Sequence, residues 1–161
     1  MTRGSLRGRD SYGSWDEIRT RWLDNDIYGH VNNAAYYAWF DTVVNNWLIA
    51  SGLLVLDVRP LIGLVVQSSC RYVSSLSYPD TVEIGLATER VGHSSVTYRL
   101  GAFRRGEDAA SAEGFFTHVY VDGTTRRPVA LPENWRAVLA TLSADPADPD
   151  RPSEKTGQTP G

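Results

Sequence analysis

Residues 32–51 constrain the fold of this chain more than any other stretch. Tyr36, Phe40, Val43 and Trp47 step by four, three and four residues, so on a helix they share one face. Trp39, Val44 and Leu48 widen that stripe, no Pro or Gly interrupts it, and Gly52 stands where a helix C-terminal cap is expected. A helix of this span is roughly 30 Å long. Its aromatic face needs a broad apolar partner surface, which a sheet supplies.

The rest of the chain provides one. Ile18, Thr20 and Trp22 alternate ahead of the helix and predict a strand within residues 15–22. After Pro60 the period becomes two. Leu64, Val66, Ser68, Cys70, Tyr72, Ser74 and Leu76 form one such series, which the turn Tyr78-Pro79-Asp80 ends. Val82, Ile84 and Leu86 follow. Gly92-His93 precedes Val96, Tyr98 and Leu100, and Arg105-Gly106-Glu107-Asp108 reads as a hairpin turn. Phe115, Thr117, Val119 and Val121 lie on the last strand. A short closing helix is expected over residues 131–142, with Pro132 in its first turn. The order is strand, helix, four strands, and the short late links favour antiparallel pairing. The fold class expected is α+β, one helix layer on one antiparallel sheet of about five strands.

At 161 residues the chain suits one domain. Residues 1–13 read as a flexible arm, 14–142 as the domain and 143–161, rich in Asp and Pro, as a disordered tail. A net charge of -3 offers no basic excess for nucleic acid. No run approaches a membrane span, no secretory signal is expected, and one cysteine excludes an internal disulfide framework, so cytoplasm is the expected compartment. Three separated His residues give no zinc spacing; no metal and no cofactor are expected.

The densest cluster of reactive side chains lies between the first strand and the helix: Asp24, Asp26, Gly29, His30, Asn32 and Asn33. Taken alone, Asp and Asn ahead of a helix read as capping and turn residues. Their place also admits chemistry. The first turn of a helix holds unpaired N–H groups, and its dipole favours negative charge. A carbonyl set there is polarised, and an oxyanion formed on it is stabilised. A nearby carboxylate can attack that carbonyl or deprotonate a water.

The stretch from Arg21 to Tyr36, with Asp26-Ile27-Tyr28-Gly29-His30-Val31-Asn32-Asn33 at its heart, resembles the signature of the 4-hydroxybenzoyl-CoA thioesterase family. It is similar to the bacterial acyl-CoA thioesterases within it, and the similarity runs over residues 14–140. The resemblance implies a hotdog fold, a long central helix wrapped by a curved antiparallel sheet, usually paired into dimers. It also implies hydrolysis of an acyl-CoA thioester. By motif position, Asp26 matches the catalytic aspartate, as nucleophile or general base. The Asn33 backbone N–H matches the donor to the carbonyl, and Gly29 with His30 matches the tight turn before the helix. The family fixes no single duty for His30.

Arg90 and Ser94 lie where relatives often place residues near the CoA nucleotide, and Tyr36 is a candidate for lining the acyl pocket. Arg104, Arg105, Arg126 and Arg127 read as exposed turn charges, His118 as a packed or surface strand residue, and Cys70 as a buried, inert thiol. Two other readings stay open: a thioesterase acting on acyl carrier protein, and a non-catalytic acyl-CoA-binding module. The expected assembly is a homodimer or homotetramer.

Overall fold

The computed structural model describes residues 5–57 and 60–143. The tail expected from residue 143 lies outside them, apart from Ser143 itself. Five strands form one antiparallel sheet: β1 (Ser14–Arg19), β2 (Leu61–Tyr72), β3 (Thr81–Val91), β4 (Ser95–Arg104) and β5 (Ala112–Asp122). Their spatial order is β1-β3-β4-β5-β2. The late strands pair through tight links, as their short connections require. The 18-residue helix α1 (Asn33–Ala50) lies against one face, and α2 (Glu133–Ala140) closes the core beyond β5.

Helix α1 forms where its apolar spacing predicts. Asn32 is its N-cap, with the side-chain oxygen accepting the Ala34 N–H at 2.9 Å. Tyr36, Trp39, Phe40, Val43, Val44 and Leu48 are its buried face. They meet Ile84, Leu86, Tyr98, Leu100 and Phe116 from the sheet in one core. The strand expected through residue 22 is shorter. It ends at Arg19, and Trp22–Asp24 forms a single 3-10 turn that leaves Trp22 79% exposed. The alternation breaks there because the Asp24 carboxylate captures the Arg21 N–H at 2.6 Å and winds the chain.

Residues 5–13, which the sequence presents as a loose arm, lie against the other face of the sheet. Tyr12 is 5% exposed and rests on Gly85 and Gly101, where a Cβ would come within 2.5 Å of its side chain. Arg9 bonds Glu83, and its guanidinium covers the Phe103 ring at 4.7 Å. Two glycines in register on β3 and β4 make the seat. Nothing local to the arm announces it.

Strands β1 and β2 are the two edges of the sheet. Strand β2 pairs only with β5, and among its twelve residues Leu64, Val65 and Val66 are exposed, Val66 at 60%.

Candidate active site

The loop from the 3-10 turn to α1 is a closed hairpin. Asn25 and Val31 form an antiparallel bridge, the Asp26 N–H donates to the His30 carbonyl at 2.8 Å, and the Gly29 N–H donates to the Asp26 carbonyl at 3.1 Å. Gly29 turns the chain at φ +79°, a conformation that favours glycine. Asp26 thus stands across the hairpin from His30, just ahead of the helix. Its Oδ1 accepts the Tyr28 N–H at 2.8 Å, while Oδ2 makes no hydrogen bond among the described residues.

The hairpin is braced from behind. Asp24 is 3% exposed; its carboxylate takes the Arg21 N–H and guanidinium, and its carbonyl accepts the Asn32 N–H at 2.8 Å. The Val31 N–H donates to Leu76, the Ser77 hydroxyl to the Gly29 carbonyl at 2.9 Å, and the Tyr78 N–H to Asn25. The segment before β3 is itself tied down, because the Asp80 carboxylate accepts the Ser77 N–H and the Arg104 guanidinium. Arg104, read from sequence as an exposed turn charge, also donates to the Ser75 carbonyl.

At the helix end, Asn32 consumes the Ala34 N–H and its carbonyl accepts the Ala35 N–H. The Asn33 N–H has no acceptor among the described residues. Its orphan state follows from its place as the first helical residue. The Tyr72 hydroxyl, on β2, donates to the Asn33 carbonyl at 3.2 Å.

The structure therefore brings Asp26, Gly29, His30 and Asn33 into one short segment. The His30 side chain is exposed. Tyr36 is buried, with its ring 5.1 Å from Tyr72, and burial pushes its hydroxyl pKa up to about 12. Arg90 and Ser94 are at the other end of the sheet. Strand β3 starts beside the Asp80–Thr20 contact and reaches Arg90 nine residues later, roughly 30 Å away. A single chain does not join them to Asp26. Tyr72, Ser77 and Tyr78 escape a reading by motif because each reaches the hairpin or the helix start from a distant stretch of chain, and Arg104 acts one step further back, on Asp80 and Ser75. Cys70 is half-buried, its thiol pushed up to about 11 by desolvation. Among the described residues no group of three His, Cys, Asp or Glu side chains could hold a metal.

Residues 20–139 match the model of the thioesterase-like superfamily. The PA5185 protein from Pseudomonas aeruginosa strain PAO1 has a crystal structure that superposes with a TM-score of 0.80. It is 48% identical over 84% of this chain and 95% of that one. Slr0204 from Synechocystis, a 1,4-dihydroxy-2-naphthoyl-CoA thioesterase, shares the fold at TM-score 0.70 with 16% identity, covering 78% of this chain and 94% of that one. The uncharacterized protein YsmA from Bacillus subtilis (strain 168) is 23% identical over 100 residues, 62% of this chain and 67% of its own.

Proposed function

The chain belongs to the thioesterase-like superfamily, and on that premise we propose that it hydrolyses an acyl-CoA thioester, with Asp26 as the reacting carboxylate and the Asn33 N–H as donor to the thioester carbonyl. One observation carries this reading. An unbonded amide at the amino end of an 18-residue helix adjoins a hairpin that holds a carboxylate oxygen unbonded among the described residues.

With the carbonyl oxygen against the Asn33 N–H, its carbon is electron-poor and open to addition. In direct attack, the Asp26 carboxylate adds, the oxyanion forms against the amide and the helix dipole, and the C–S bond breaks. The CoA thiolate leaves and takes a proton from solvent. Water then hydrolyses the mixed anhydride to free acid and Asp26. In the general-base route Asp26 takes a proton from water as that water adds, and the proton passes to the departing thiolate. Gly29 keeps the hairpin tight, and exposed His30 stands beside Asp26 to orient substrate or water. Tyr36 acts on the substrate through Tyr72, whose ring it supports.

A second copy of this chain completes the assembly in this reading. The open β2 edge is long and apolar, and such edges pair. Ile27, 93% exposed, and its neighbours Leu23 and Tyr28 form an apolar surface around Asp26 that a partner would cover. Any contact of Arg90 or Ser94 with the CoA nucleotide would then come from that copy. Among the described residues no helix is long and apolar enough to cross a membrane, and a cytoplasmic site of action fits a chain with one cysteine.

Free-thiol release from a panel of acyl-CoA esters, run beside Asp26→Asn, tests the reading. Turnover by wild type that the variant loses supports it; equal turnover removes Asp26 from the chemistry. The same acyl group on acyl carrier protein identifies the carrier. Label in the Asp26 carboxyl after single-turnover hydrolysis in heavy-oxygen water would establish direct attack, with water adding at the Asp26 carbon of the anhydride.

A further inference from the structure

The chemistry at Asp26 leaves a buried imidazole unused. His118 lies on β5 facing α1, 4% exposed, with the Tyr98 and Tyr120 rings 5.3 and 6.1 Å away. Its Nε2 is enclosed and has no hydrogen-bond partner among the described residues. Its Nδ1 stands over Gly63 of β2, where a Cβ would come within 3.3 Å of it and 3.0 Å of the Tyr120 ring. Beside that bare glycine lies a small cavity of about 90 Å³, room for the end of a chain rather than a whole ligand. Leu48, Leu54, Leu61 and Trp135 give it apolar walls, and Asp41 and Asn45 line it from α1.

We propose that this cavity is a specificity subsite for an uncharged, hydroxyl-bearing end of an acyl chain, held by a hydrogen bond to His118 Nδ1. The inference rests on the thioesterase reading for the identity of the chain that enters. Desolvation lowers the imidazole pKa, so at neutral pH the ring carries one N–H and one lone pair. Whichever Nδ1 presents, a hydroxyl satisfies it, because a hydroxyl both donates and accepts. A methyl end takes the place of water at Nδ1 without bonding it, which is costly. A carboxylate end meets the Asp41 charge, with no cation among the described residues that line the cavity. Position agrees: Asp41 and Asn45 stand eight and twelve residues along α1 from Asn33, roughly 12 and 18 Å from the amide. A medium-length acyl chain covers that distance.

The test has two arms that fail separately. In the first, full-length protein is titrated with cyclohexanol and with cyclohexane while the His118 ring signals are followed by NMR. Saturable shifts and at least fivefold tighter binding for the alcohol, about the worth of one neutral hydrogen bond, are expected in wild type and in Asp26→Asn. His118→Phe should lose the preference, and Gly63→Ala, which keeps the imidazole, should weaken both probes. Equal binding of the two, a preference that survives His118→Phe, or tighter binding of cyclohexylamine overturns the subsite. In the second arm, ω-hydroxydecanoyl-CoA should exceed decanoyl-CoA in kcat/KM through KM, and His118→Phe should equalise them. An alcohol preference at His118 with no turnover of either ester upholds the subsite and overturns the thioesterase reading.

Discussion

The Tyr72 hydroxyl donates to the Asn33 carbonyl at 3.2 Å, so the edge strand β2 is fastened to the very peptide plane region from which α1 presents its free amide. Carbonyl and amide of one residue are thus engaged separately: the first holds the helix end against the sheet, while the second has no acceptor among the described residues.

That separation allows the amide to be deleted alone. Asn33 is the first helical residue, and Asn32 before it has φ -60° and ψ 136°, which a following proline tolerates. Asn33→Pro removes the N–H and keeps the carbonyl. We expect kcat to fall roughly 10²-fold or more, the effect typical of losing one oxyanion donor, with stability within about 1 kcal/mol of wild type. Steady-state kinetics and urea denaturation on the same preparation check this.

Asp26→Asn keeps an acceptor for the Tyr28 N–H, whereas Asp26→Ala loses it. Both should lower kcat by about 10²- to 10⁴-fold, and only the alanine variant should lose stability, by about 1 kcal/mol. Thermal unfolding separates the two effects. Near-wild-type turnover in both would exclude Asp26.

Asp24→Ala should behave differently from either. It strips a buried carboxylate from the Arg21 N–H and guanidinium, leaving the hairpin without its rear support. Arg21 itself is largely exposed, which moderates the electrostatic part. A loss of about 1–3 kcal/mol is expected, together with a fall in kcat as the Asp26 hairpin loosens. A variant as stable and active as wild type would show that the support is dispensable.

Stability should fall on the acid side through His118. Desolvation lowers its pKa in the folded chain below the ordinary value of 6.5, with the Asp41 charge opposing. Above that value the ring is neutral in both states and contributes no slope. As pH falls below it, the unfolded chain binds a proton that the folded chain resists, so unfolding becomes easier. The unfolding free energy of wild type, measured from neutral pH down to about 5, should therefore fall relative to that of His118→Phe. A constant difference would mean the ring is protonated in place.

Val66→Lys places a charge on the open edge of β2. Charged edge residues block strand pairing, so sedimentation velocity should show smaller species than wild type at equal concentration. Loss of turnover alongside would tie the partner copy to the site. An unchanged distribution would mean that copies meet elsewhere.

The sequence by itself determined the helix and the reactive segment. The spacing of Tyr36, Phe40 and Val43 and the caps at Asn32 and Gly52 are local, and a helix records its buried face every three or four residues. The hairpin residues Asp26, Gly29 and Asn33 are equally local, so their order was legible. Tertiary structure decided what depends on residues far apart in the chain. It removed Trp22 from the strand through Asp24, seated Tyr12 on Gly85 and Gly101, set Arg90 and Ser94 at the opposite end of the sheet, and gave Tyr72 its contact at the site and Arg104 its contacts one step behind it. His118 shows the reason most directly. On its own strand it is one polar residue between Thr117 and Val119; only the register of β2 on β5, which sets Gly63 opposite Tyr120, opens space beside its ring. Strand pairing is a non-local choice, and a period of two along one strand carries no record of which neighbour it will meet.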